Sequence, residues 1–364
     1  MSKLHDLHDN GQSVWLDFIR RDMLASGELD SLVTDGIRGL TSNPSIFQKA
    51  IGSSDAYDGA ISEMLAGGGS ADPKTVYEAL AITDIQDAAD TLLTVYEDSQ
   101  AADGYVSLEV SPLLAADTAG TIAEGNRLWD LVDRPNLMIK VPATPEGIPA
   151  IEELTAIGRN VNATLMFSMS DYEAVAQAYV RGIRRAADPT RIASVASFFV
   201  SRVDNDTDAA LERVGSEAAL ALRGKAAVNN AKLAYDRYRE IFEGPDFADQ
   251  LARGAQPQRV LWASTSTKNP AYSDVLYVEP LVGPNTVNTM PPATIDAFLD
   301  HGKIDGMALA TDVAMARQEI AALADVGVDF DRITADLKDA GVKSFAEAFE
   351  GLLATVADKV AELG

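Results

Sequence analysis

The chain contains no cysteine. That excludes disulfides, thiolate catalysis, iron–sulfur clusters and cysteine-ligated zinc. Histidine is almost as scarce, with His5, His8 and His301 the only three. Their spacing forms no compact cluster with carboxylates, so no metal site is expected and none of the three is expected to be catalytic. Basic residues are in short supply, with 30 Lys and Arg against 55 Asp and Glu and a net charge of −25. Such a field repels nucleic acid and anionic membranes. A phosphorylated ligand would have to be held by a few local cations, helped by salt, which damps distant charges beyond ~8 Å. No apolar run approaches the roughly 18 residues of a membrane span, and the N-terminal MSKLHDLHDN has no signal-peptide core, so a cytoplasmic protein is expected. Without a secretion signal, the Asn162-Ala163-Thr164 and Asn205-Asp206-Thr207 triplets are not read as glycosylation sites. The Gly67 to Gly69 run lacks a P-loop lysine and reads as a surface loop between helices.

Of the 364 residues, 47% are hydrophobic and 23% charged, which is enough apolar material for a sizeable core. Short strand-like runs alternate with longer helical segments, the pattern of βα units around a parallel sheet. Eight runs stand out, at 13–18, 36–41, 104–110, 137–141, 160–167, 192–200, 259–264 and 286–290. Helical spacing marks 171–187, with Asp171 as a candidate cap, then 206–243 and 294–302. A long helix over about 330–363 is expected to pack on the barrel after its last strand. Eight units predict an α/β fold, a (β/α)8 TIM-type barrel with additional helices, forming a single domain over residues 1–364.

Side chains alternate across a strand, so one parity fills the barrel and the other meets the helices. In Leu137-Met138-Ile139-Lys140-Val141-Pro142 the odd positions are all apolar, and Lys140 shares the inner face with Met138. The same parity groups Asp17 with Trp15, Glu109 with Ser107, and Asn162 with Thr164 and Met166, each polar residue near the C-terminal end of its run. Barrel enzymes work at that rim. Burying one such group is ordinary; converging a lysine, carboxylates and amides demands mutual pairing or catalysis. Enclosing an amine in apolar surroundings disfavours the ammonium form, and only a neutral amine attacks a carbonyl. On parity and burial alone, decarboxylase, dehydratase and aldolase chemistries all remain open for Lys140.

Gly39-Leu40-Thr41-Ser42-Asn43-Pro44-Ser45-Ile46-Phe47 and Met138-Ile139-Lys140-Val141-Pro142-Ala143-Thr144-Pro145-Glu146-Gly147-Ile148 closely resemble the two signature segments of the transaldolase family. Similarity extends to segments 11–17, 161–168 and 196–202 and so spans most of the chain. The resemblance implies a barrel circularly permuted relative to other class I aldolases, with the lysine on its fourth strand. It implies transfer of a dihydroxyacetone unit from a ketose phosphate to an aldose phosphate, with neither metal nor organic cofactor. Position by position, it makes Lys140 the Schiff-base nucleophile, Asp17 the acid/base, and Glu109 with Thr164 the holders of a catalytic water. Asn43 and Asn162 match residues that bind sugar hydroxyls, although Asn43 could instead stabilise its own Asn-Pro turn. Ser197 and Phe199 fall among the substrate contacts, and Arg202 matches the phosphate arginine. Lys268, after a Ser264-Thr265-Ser266-Thr267 tract, stands where many relatives have a second arginine, and lysine cannot make a bidentate guanidinium contact. Ser264 aligns better than Ser266 as the assisting serine. The related fructose 6-phosphate aldolases usually carry tyrosine and glutamine where this chain has Phe199 and Glu109. An inactive sugar-phosphate-binding protein on the same scaffold is the remaining alternative, disfavoured by the intact Lys140, Asp17 and Glu109.

Overall fold

The computed structural model describes residues 2–364, and eight parallel strands close on themselves in sequence order. They are β1 (Gln12–Leu16), β2 (Ile37–Thr41), β3 (Tyr105–Glu109), β4 (Leu137–Pro142), β5 (Val161–Met166), β6 (Ser194–Phe199), β7 (Arg259–Ala263) and β8 (Thr286–Met290). Each lies inside one of the eight expected runs except at single-residue margins, as at Gln12 and Pro142. Almost every strand residue is buried on both faces, as expected when helices cover a parallel sheet from outside. The register aligns Glu109, Lys140 and Asn162 across β3, β4 and β5. Three neighbouring strands thus present their polar groups on the same side at one level.

The N-terminal end of the barrel is plugged by a polar knot. Asp103, 2% exposed, accepts hydrogen bonds from Ser13, from Trp15 Nε1 at 2.8 Å and from Arg38 Nε at 3.0 Å, with Arg259 at 3.3 Å. One carboxylate between two guanidiniums satisfies charges that burial would otherwise penalise. Gly39 makes room for Trp15: a Cβ there would stand 2.5 Å from the indole.

Helices follow most strands, and two of the expected helical segments differ in detail. Helix Met169–Arg185 is capped by Ser168, whose Oγ accepts from Asp171 N at 3.1 Å; Asp171 sits in the first turn and pairs with Lys338 at 2.7 Å. Asp171 is therefore not the cap: its serine neighbour takes the position from which a side-chain oxygen reaches the free N–H groups. The expected helical stretch 206–243 is broken into Ser201–Val214, Glu217–Leu220 and Ala226–Phe242. Gly215 (φ 68°) ends the first piece, and Gly224 (φ 70°) turns the chain before the last. Helical spacing of apolar residues continues across both breaks, and only the left-handed glycines interrupt it.

The C-terminal helix Phe330–Leu363 begins at Asp329, whose side chain accepts from Arg332 N at 2.9 Å. At 34 residues it is about 50 Å long, long enough to cross the barrel's C-terminal face. Its apolar face packs on helices Pro44–Gly52, Pro73–Thr91 and Ser201–Val214, with Lys338 and Lys359 tied to Asp171 and Asp58. No helix among the described residues is long and apolar enough to cross a membrane.

Candidate active site

At the C-terminal ends of the strands lies a cleft of about 540 Å³. Nine of the eleven residues singled out in the sequence line it: Asp17, Asn43, Lys140, Thr164, Ser197, Phe199, Arg202, Ser264 and Lys268. Glu109 adjoins it through Lys140, and Asn162 lies beneath its floor.

Lys140 projects from β4 and is 5% exposed. Its Nζ donates to the Ser42 carbonyl at 3.2 Å, stands 3.5 Å from Glu109 Oε2 and lies 5.5 Å from the centre of the Phe345 ring. The apolar enclosure expected from its neighbours in sequence is therefore incomplete. A carboxylate and a carbonyl from β3 and the end of β2 reach the amine, so a proton leaving Nζ has an acceptor at hand. Burial pushes the Glu109 carboxyl up to about 6, with Lys140 pulling it the other way. A group poised there changes protonation state readily near neutral pH.

Asp17 follows β1 directly, its backbone N–H held by the Met290 carbonyl at 2.9 Å. Thr41 donates to its Oδ1 at 2.8 Å and also lies 2.7 Å from the Thr289 hydroxyl. Burial raises the Asp17 pKa, and Lys140, Thr41 and Arg202, in that order, oppose the rise. The two carboxyls thus flank one amine in unlike surroundings.

Among the described residues Thr164 Oγ1 is buried with no hydrogen-bond partner, and Glu109 Oε2 has only its 3.5 Å ion pair with Lys140. Just beyond Thr164, Leu165 takes φ 62° and the register between β5 and β6 slips by one residue. This bulge overturns part of the expected alternation. Met166 pairs with Phe198, whose ring packs against Tyr172 and Trp262 outside the barrel, so Met166 does not share the inner face with Asn162 and Thr164.

Asn162 is fully buried, its amide donating to Ser107 at 3.0 Å and accepting from Ser197 at 2.7 Å. It braces the cleft floor and does not line the cleft. Asn43 caps helix Pro44–Gly52 by accepting from Ile46 N at 3.0 Å, and it also lines the cleft. Its turn-stabilising role and an open Nδ2 coexist because the cap uses only Oδ1.

Across the mouth, Arg202 opens helix Ser201–Val214 with its guanidinium 5.2 Å over Phe199. It makes no ion pair among the described residues. Ser264, at φ 57°, sets its hydroxyl 3.0 Å from that of Ser201, next to Arg202, while Ser266 accepts from the exposed Lys268 at 3.3 Å. A half-buried arginine with no carboxylate attached among the described residues, two hydroxyls and an exposed ammonium form a site suited to an anion.

Of the cleft residues not singled out in the sequence, two matter most for its chemistry. Phe345 arrives from the C-terminal helix, some 200 residues beyond Lys140, and nothing local distinguishes it from other apolar positions. Lys49 lines the cleft with Ser45 and Ile46. Spacing of one helical turn from Ser45, directly after the Asn43-Pro44 cap, was a usable signal for it. Among the described residues no group of three or more His, Asp or Glu side chains is placed to hold a metal ion, and no histidine lines the cleft.

The sequence matches the family described as Transaldolase/Fructose-6-phosphate aldolase over residues 14–356. A transaldolase of Thiobacillus denitrificans is 51% identical over 362 residues, covering 98% of this chain and 100% of the relative. A transaldolase of Frankia alni is 47% identical, covering 99% and 98% of the two chains, and one of Mycolicibacterium smegmatis is 48% identical, covering 94% and 93%. With a family match across most of its length and relatives near half identity end to end, the chain belongs to the transaldolase/fructose-6-phosphate aldolase family.

Proposed function

We propose that this protein is a transaldolase, working as a single barrel domain in the cytoplasm in the non-oxidative pentose phosphate pathway. It moves a dihydroxyacetone unit from sedoheptulose 7-phosphate or fructose 6-phosphate to glyceraldehyde 3-phosphate or erythrose 4-phosphate. The observation that carries this reading is one buried amine, Lys140, flanked by Glu109 at 3.5 Å and sharing a cleft with Asp17 and the unpaired Arg202.

Neutral Lys140 attacks the C2 carbonyl of the donor, and loss of water from the carbinolamine leaves a cationic iminium. Glu109 supplies the proton that lets hydroxide leave as water, with Thr164 orienting that water through its unpartnered hydroxyl. Asp17, ionised, takes the proton of the C4 hydroxyl; the C3–C4 bond breaks and its electron pair runs into the iminium, giving an enamine. The aldose leaves, the acceptor aldehyde enters, and the enamine C3 attacks it while Asp17 returns a proton to the new alkoxide. Hydrolysis restores Lys140. The iminium is the electron sink, so these steps call on protein groups alone. Asn43 holds a sugar hydroxyl through Nδ2, Ser197 offers its remaining acceptor capacity, and Asn162 fixes Ser197 from below. Arg202, Ser264 and Lys268 grip the phosphate, and the flat Phe199 face carries the Arg202 guanidinium.

Borohydride reduction with fructose 6-phosphate followed by peptide mass analysis should find a three-carbon adduct on Lys140. An active enzyme with Lys140 unmodified would refute the mechanism. Assays with and without erythrose 4-phosphate separate transfer from simple cleavage. Acceptor-independent cleavage at a comparable rate would assign the chain to the aldolase branch, against the Phe199 and Glu109 found here.

A further inference from the structure

Behind Glu109, on the side away from the sugar cleft, lies a separate small cavity of about 20 Å³. Its wall includes Glu109, Ser111, Tyr77, Ala81, Glu78 and Glu124. A water needs roughly 10–15 Å³ of such space and two or more polar partners; the cavity has room for one, with Glu109, Tyr77 and Ser111 as polar groups in a wall otherwise closed by Ile82, Leu108, Leu128 and Phe349. Glu109 lines this cavity and at the same time reaches Lys140. Its carboxylate is the partition between the amine and the chamber.

The outer wall is made of paired ions. Glu78 and Glu124, on helices Pro73–Thr91 and Thr118–Val132, share Lys74 and Arg127: Lys74 lies 3.6 and 3.5 Å from the two carboxylates, Arg127 2.8 and 3.8 Å. Glu124 also accepts from Ser111 N at 2.8 Å. The cations are 43% and 41% exposed and the carboxylates 19% and 12%, and an ion pair with a partner in solvent is weak. Glu78 and Glu124 thus line the cavity while their partners Lys74 and Arg127 reach solvent.

Schiff-base chemistry gives this route work to do. Forming the iminium breaks the carbinolamine C–O bond, the nitrogen lone pair makes the C=N bond, and the departing hydroxyl takes a proton from Glu109. Hydrolysis runs the same step backwards, water adding to the iminium carbon and returning its proton to Glu109. During both steps the front cleft holds the sugar phosphate. We propose that the chamber behind Glu109 is a water port for the Lys140 Schiff base, receiving the expelled water, exchanging it with solvent past the Lys74 and Arg127 ion-pair wall and supplying the water for hydrolysis. The proposal rests on the Schiff-base reading above and assigns Ala81 and Ser111 as positioning residues for that port.

The test uses fructose 6-phosphate labelled with oxygen-18 at C2, incubated with the enzyme in ordinary water without acceptor, and follows loss of label. Ala81→Val fills the chamber from helix Pro73–Thr91, and Ser111→Val fills it from the opposite wall if the first variant loses its melting transition. Filling should slow label loss roughly fivefold or more while KM for the sugar stays within about twofold, since no cleft contact is touched. A folded variant that still forms the borohydride-trapped adduct on Lys140 and loses label at the wild-type rate overturns the port and leaves the Schiff base standing. Failure to trap any adduct on Lys140 in the wild-type enzyme overturns both.

Discussion

Lys140 and its two carboxyls set the chemistry, and each has a separate signature. Replacing Asp17 by Asn removes the acid/base but keeps the hydrogen bond from Thr41. Steady-state assays should show kcat lowered by about 10²- to 10⁴-fold, with borohydride now trapping the uncleaved six-carbon donor on Lys140, since iminium formation does not use Asp17 but cleavage does. Glu109 titrates from about 6 in the fold against 4.5 unfolded. Because its folded pKa is raised, the native state holds the extra proton between those values. The stability this group contributes is present below pH 4.5 and lost as pH climbs through 6, about 2 kcal/mol across the window. Urea midpoints measured at pH 5 and 7 should fall more steeply in wild type than in Glu109→Gln, whose remaining slope comes from other buried carboxyls such as Asp204, also raised to about 6; equal slopes would place the charge elsewhere. Arg202→Lys exchanges a fork for a point charge. KM for phosphorylated donors should rise roughly 10- to 100-fold, the worth of a charged hydrogen bond, with kcat less affected.

At the scale of elements, the C-terminal helix is a wall of the site. Phe345 stands over Lys140, Phe349 meets Tyr77 edge-on at 5.9 Å, and Gly341 lets the helix approach Leu165 at the β5 bulge. Truncating Phe345 to Ala removes a ring that is 7% exposed. The cost should be about 3 kcal/mol by chemical denaturation, with a larger proportional loss in kcat/KM than in the denaturation midpoint, because water then reaches the iminium. The bulge and the bent glycines at Gly215 and Gly224 show the same lesson from the other direction. Periodicity sees strands and helices through their apolar faces, and a single left-handed residue that redirects the chain leaves that pattern intact.

For the whole molecule, a net charge of −25 surrounds a cleft carrying Lys49, Lys140, Arg202 and Lys268. At low salt the screening length, about 30 Å at 0.01 M, lets the full negative field oppose a sugar phosphate; at 0.15 M it shrinks to about 8 Å and the cleft cations dominate. kcat/KM measured in potassium chloride should therefore rise from 0.01 to about 0.1 M and fall again when molar salt screens the cations themselves. A monotonic fall would mean that the cleft field prevails at every distance.

Much of this was legible in the chain itself. Strand alternation and eight apolar runs determine a closed parallel barrel, because only one parity can be buried inside and the helices must cover the other. The polar residues on the inner parity, Lys140, Asp17, Glu109, Asn162 and Thr164, were visible as violations of an apolar pattern, and the two segments around Asn43 and Lys140 narrowed their chemistry. Tertiary structure alone decided what those groups touch. The Ser42 carbonyl beside Lys140, the Phe345 ring above it, the placement of Asn162 under the floor and the chamber behind Glu109 all arise where backbone or distant helices meet. A side-chain pattern along one strand records which face is buried, and contacts between segments separated by hundreds of residues are fixed only when the barrel closes.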